Sequence, residues 1–136
     1  MLRLFILTLL CAAVTAATAS AGQQLQTVAR DGVKTTSRSS SGSCGFQGDY
    51  SGTGDLLLRC DGKRGSAVAR YDFALPSKAY GTPTMRVYAS KLCCSSSNIK
   101  TRLVRVSKLR YRIVVSVSKQ TRFDVLSVSL SYYVKT

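Results

Sequence analysis

Between Leu109 and Val134 the side chains alternate with a period of two, and no other property of the chain narrows its fold as far. Leu109, Tyr111, Ile113, Val115 and Val117 fall on one side of an extended backbone, with Arg110, Arg112, Val114, Ser116 and Ser118 on the other. Successive side chains of a strand point to opposite faces, so this run reads as a strand with one core face and one mostly solvated face. Past Lys119-Gln120 a second run begins with Phe123 and Val125. It resumes with Val128, Leu130, Tyr132 and Val134 while Ser127, Ser129, Ser131 and Tyr133 face outward. The apolar phase slips by one around Leu126, where a β-bulge would restore the facing.

The same pattern recurs upstream. Ala67, Ala69, Tyr71, Phe73 and Leu75 share a face against Val68, Arg70, Asp72 and Ala74, and Pro76 ends that run. Met85, Val87 and Ala89 oppose Arg86, Tyr88 and Ser90 within Thr84–Leu92, and Asp55–Cys60 is a further run. Gly, Ser, Pro and Lys clusters separate the runs as turns, and no stretch holds a helical period. These features predict an all-β fold, a small antiparallel two-layer β-sandwich of about seven short strands. A partly open β-barrel is the alternative, since periodicity does not separate one closed sheet from two packed ones.

The chain divides into three stretches. Residues 1–21 carry one early cation, Arg3, an apolar run from Leu4 to Val14, and small residues ending in Ala19-Ser20-Ala21. That is the form of a secretory signal peptide, too short in its apolar part to span a bilayer. Cys11 follows Leu9-Leu10 and so lacks the small residue that a lipoprotein signal places before its cysteine. Residues 22–43 are polar and end in a Ser/Thr-rich stretch, which reads as a lead-in or linker, with Leu25 and Val28 able to dock a short strand. Residues 44–136 form the all-β domain, and secretion places it outside the cell or at its surface.

Secretion also makes Cys44, Cys60, Cys93 and Cys94 disulfide candidates rather than zinc ligands. A hairpin centred on Gly52 places Cys44 opposite Cys60 and Phe46 opposite Leu58. That pairing leaves Cys93 and Cys94 as a vicinal bridge or as thiols. The other connectivities send them separately to Cys44 and Cys60, and both arrangements stay open.

Removing Arg3 with the leader leaves 19 cationic side chains against six Asp, a net charge of +13. Such an excess attracts polyanions, although it also keeps a protein soluble with no partner. The chain has no His, Trp or Glu. Acid–base catalysis near neutral pH mostly uses His or a tuned Glu, and Ser or Cys nucleophiles mostly need a His base, so the expectation is a non-enzymatic protein without cofactor or metal. Asp49, Asp55 and Asp61 recur at six-residue spacing, but they lack EF-hand order and sit among Arg59, Lys63 and Arg64, which favours turn formation over calcium. Asn98 is the only Asn and is not followed by the Ser or Thr that N-glycosylation requires.

Two groups of residues stand out for binding. Lys100, Arg102, Arg105, Lys108, Arg110 and Arg112 span two adjoining runs, and their outward members would form a cationic field suited to phosphate, sulfate or carboxylate. The plainer account is a solvated face whose cations block edge pairing. Tyr88 and Tyr133 fall on the non-core face and offer rings for stacking on sugars; Tyr50 and Tyr80 adjoin turn glycines. The leading expectation is a secreted binding domain for an extracellular anionic polymer, a cell-wall or matrix polysaccharide or nucleic acid. The alternatives are a protein-binding module, such as an inhibitor of an extracellular enzyme presenting the Cys93–Asn98 loop, and a neutral carbohydrate-binding module.

Overall fold

The computed structural model describes residues 22–136, and the signal-peptide reading of residues 1–21 lies outside them. Nine strands follow one another: β1 (Gln23–Asp31), β2 (Ser37–Ser40), β3 (Cys44–Gly48), β4 (Leu56–Cys60), β5 (Ser66–Ala74), β6 (Ala79–Cys93), β7 (Ile99–Ser107), β8 (Arg110–Ser118) and β9 (Arg122–Lys135). They form two antiparallel sheets, one of five strands and one of four in the order β2-β5-β8-β7. In the five-stranded sheet β9 is the spine. One of its edges pairs with β6, and the other pairs first with β4 and then with β1, while β3 continues outward from β4.

The period-two alternation sets the layers. Ala67, Ala69, Tyr71 and Phe73 of β5 and Tyr111, Ile113, Val115 and Val117 of β8 are all buried, and they meet Leu56 and Leu58 of β4 and Val125, Val128 and Leu130 of β9. Each fully buried aliphatic or aromatic side chain contributes about 1.5–3 kcal/mol, so these inward faces hold the sheets together. The phenol of Tyr71 donates to the Gly32 carbonyl at 2.6 Å, satisfying its one polar atom inside the core. Burial holds that phenol protonated well above the usual tyrosine range.

The bulge falls at Leu126. Val125 pairs with Leu56 and Ala89, Ser127 pairs with Asp31 and Tyr88, and Leu126 is opposed by neither neighbour. Gly32 lies where β1 gives way to β4 along β9, and its N–H donates to the Leu126 carbonyl at 2.9 Å. A Cβ there would run into the Val125 carbonyl, so only glycine fits the junction. Between β8 and β9, Lys119 and Gln120 both take the left-handed conformation, at φ 51° and 58°, where the chain passes from the four-stranded sheet to the five-stranded one.

The strand count corrects the expected seven to nine, and the two additions lie in the polar stretch 22–43. That stretch is part of the sandwich and not a lead-in to it. β1 pairs with β9 from Gln23–Lys135 to Asp31–Ser127, and β2 pairs with β5 from Ser37–Arg70 to Ser40–Ala67. Backbone ladders hold both, because β2 is exposed throughout and β1 turns only alternate residues partly inward. β6 is also longer than the Thr84–Leu92 run. It begins at Ala79 and shifts register between Tyr80 and Thr84, where Gly81 has φ 76° and Pro83 lacks a donor.

Candidate functional site

The outer face of the four-stranded sheet carries most of the basic cluster. Its rows follow from the register: Val68, Ser116 and Lys100; Arg70, Val114 and Arg102; Asp72, Arg112 and Val104; Ala74, Arg110 and Ser107. Arg70 and Arg102 flank Val114 from both sides, roughly 10 Å apart at two strand spacings. Val114 is only 7 % exposed although it points away from the core, in keeping with long Arg stems lying over it. Among the described residues the only carboxylate on this face is Asp72, and Arg112 already takes it with two hydrogen bonds of 2.6 and 3.1 Å. That contact, with burial opposing it, holds the Asp72 carboxyl below its usual range and keeps the pair ionised. Lys100, Arg102 and Arg110 make no ion pair among the described residues, and Arg70 donates to the Ser39 hydroxyl at 3.2 Å.

The six residues of the sequence cluster are therefore not equivalent. Lys100, Arg102 and Arg110 share the face, and Arg112 shares it with its charge matched. Arg105 pairs with Tyr111, on the inward register at the end of the sandwich, and its guanidinium donates to the carbonyls of Ser107 and Lys108 at 3.3 Å. Lys108 lies in the β7–β8 turn and, with Arg105, lines a cleft beside Leu75, Tyr80 and Leu109. The alternation separates Arg105 from Arg102 because odd and even positions of one strand face opposite ways. The residue missed by sequence was Arg70. Its outward facing was legible, but its place beside Val114 depends on β5 and β8 being neighbours.

Tyr88 and Tyr133 lie on the outer face of the other sheet and line one groove of about 540 Å³. Tyr80 lines the Arg105–Lys108 cleft instead, with its ring centroid 6.3 Å from that of Tyr133. Arg86 donates to the Tyr88 hydroxyl at 3.0 Å and lies 5.4 Å from the ring centroid.

At one end of the sandwich, Cys44 faces Cys60 across the β3–β4 hairpin and is bonded to it, with Phe46 facing Leu58. Cys93 and Cys94 form the vicinal pair, and Cys93 closes β6. The Cys93–Asn98 segment is a strand end and a short 3-10 turn over Ser96–Asn98. Of the recurring Asp residues, two serve the turn, and Asp61 pairs instead with Arg59 and Arg122 at 3.1 and 3.0 Å. Asp49 accepts from the Gly54 N–H at 2.6 Å, and the Asp55 carboxylate accepts from the Ser51 N–H at 3.0 and 3.1 Å. Among the described residues no cluster of ligands for a metal ion occurs and no helix is long and apolar enough to cross a membrane. No known protein family matches the chain, and neither does any curated protein or solved structure.

Proposed function

We propose that this is a secreted, non-enzymatic binding domain whose ligand is an extracellular anionic polymer lying across the outer face of the four-stranded sheet. One observation carries the reading: Arg70, Arg102, Lys100 and Arg110 share the outer face of one sheet, where the one carboxylate among the described residues is already occupied by Arg112. Arg70 and Arg102 stand roughly 10 Å apart across Val114, about one screening length at 0.1 M salt, and a bound polyanion relieves their weak repulsion while releasing its own counterions. Guanidinium groups add paired donors that match sulfate, phosphate and carboxylate. The paired cysteines fit an oxidising compartment.

The test is retention of the oxidised domain on a sulfated polysaccharide, a uronic-acid polysaccharide and single-stranded DNA across a salt series. Binding to one of them should persist near physiological salt and weaken steeply above it. Arg70→Gln with Arg102→Gln should lower the salt slope by about two, one for each lost contact. Arg105→Gln, on the opposite register, should leave the slope unchanged. Weak retention on all three that vanishes by physiological salt would reduce the charge to a solubility device.

A further inference from the structure

We infer that the outer face of the five-stranded sheet is a second, separate binding site, built for a neutral oligosaccharide lying along β9. The register lays out the surface in four rows. Leu25, Tyr133 and Tyr80 form the first, Thr27, Ser131 and Thr84 the second, Ala29, Ser129 and Arg86 the third, and Asp31, Ser127 and Tyr88 the fourth. The floor is thus a line of small hydroxyl side chains, Ser127, Ser129 and Ser131, of which Ser129 is nearly fully buried, flanked by residues of β1 and β6 and with a tyrosine at each end. From Ser127 to Tyr133 it runs roughly 20 Å, long enough for a short oligosaccharide rather than one sugar.

This chemistry matches a glycan at both of its surfaces. A pyranose presents a C–H face that packs on an aromatic ring, and a rim of hydroxyls that both donate and accept. Tyr88 and Tyr133 are 47 % and 46 % exposed, large rings left uncovered where burial is the ordinary fate of such surface. Ser and Thr hydroxyls likewise donate and accept, and Thr27 and Ser131 already share a hydrogen bond of 2.8 Å across the floor. Charge selects the neutral ligand. Within the four rows the ionic groups are Arg86 and Asp31, opposite in sign and on opposite walls, and the Arg86 guanidinium is engaged by Tyr88. The contrast with the unmatched cations of the other sheet is a contrast of ligand class.

The experiment is titration of the oxidised domain with cellohexaose, chitohexaose and maltohexaose, followed by calorimetry and by tyrosine ring resonances, at low salt and at about 0.5 M salt, where the screening length is only a few ångströms. At least one hexaose should bind with an affinity that salt does not change. Tyr88→Ala and Tyr133→Ala should each weaken it about tenfold or more, and Thr27→Arg, an exposed change that lays a long side chain over the floor, should abolish it. Arg70→Gln with Arg102→Gln should leave it unaffected, so failure here and failure of the polyanion reading are separate results. The inference is overturned by no binding, by binding that both tyrosine variants leave intact, by binding that salt removes, or by a concentration-dependent dimer that Tyr133→Ala dissolves, which would assign the face to a second copy of the chain.

Discussion

At the scale of single residues, the most consequential pair is Asp55 and Asp124, both buried, with Asp124 Oδ1 left without a hydrogen-bond partner. Burial, and then the contact with Asp55, lift Asp124 to about 7. Burial presses Asp55 the same way, but the contact with Asp124 and the hydrogen bonds from Ser51 outweigh it and bring Asp55 down to about 2. The pair holds one proton between two carboxyls, and its titration belongs to both. Asp124 binds its proton more tightly folded than unfolded, so its contribution to stability falls as pH rises from about 4 to about 7; Asp55 has the opposite sign and loses its contribution as pH falls from about 4 to about 2. The chain has no His, so no other side chain with an ordinary pKa titrates between pH 5 and 8. Asp124→Asn keeps a donor toward Asp55 and removes the ionisation. Its melting temperature should therefore stay level between pH 5 and 8 while that of the parent declines, as followed by circular dichroism; parallel declines would disprove the shared proton. Nothing in the local sequence announces this pair, because Asp55 reads as a turn residue and Asp124 as one polar position in a strand.

At the scale of elements, β9 shows how far a local pattern reaches. The phase slip around Leu126 was legible, and the register places the bulge there. Deleting Leu126 would set Ser127 directly after Val125, as Ala89 and Tyr88 are consecutive opposite them, and would leave Phe123, Val125, Val128 and Leu130 all inward at the loss of the Gly32 N–H contact to the Leu126 carbonyl. That deletion should keep a cooperative urea transition, whereas deleting Ser129, which puts everything beyond it out of phase, should abolish it. Leu126→Ala, at a side chain 39 % exposed, should cost less than about 1 kcal/mol. By contrast β1 and β2 escaped a reading based on apolar alternation, since Gln23-Gln24 and Ser37–Ser40 offer no buried face to recognise. Their stability comes from hydrogen bonds to β9 and β5, and a backbone ladder has no side-chain signature. The basic cluster was half legible for the same reason: alternation puts Lys100 and Arg102 on one face, but only strand pairing adds Arg70 and matches Arg112 with Asp72.

At the scale of the whole molecule, the two cysteine pairs should differ in what they contribute. The Cys44–Cys60 bridge closes a loop across 16 positions, for which chain entropy gives about 3 kcal/mol. Cys93 and Cys94 are neighbours and enclose no loop. Replacing both Cys44 and Cys60 by Ala should lower the free energy of unfolding in urea by about that amount, while Cys93→Ser with Cys94→Ser should leave the urea midpoint nearly unchanged. An equal loss from both replacements would show that the vicinal pair supports the fold beyond its own ring.

The sequence by itself determined the class of structure, the inward faces of β5, β8 and β9 and the bulge, and it offered the Cys44–Cys60 register as one of two open arrangements. Each follows from the period-two geometry of an extended chain and from a turn that sets two strands opposite one another, both properties of near neighbours. Only the tertiary structure decided that β1 and β4 share one edge of β9, that Arg70 joins Arg102, that Asp124 finds Asp55, and that Tyr88 and Tyr133 line a single groove. These depend on which strands become neighbours, and that choice is made by the burial of whole sheet faces against each other rather than by any local run of residues.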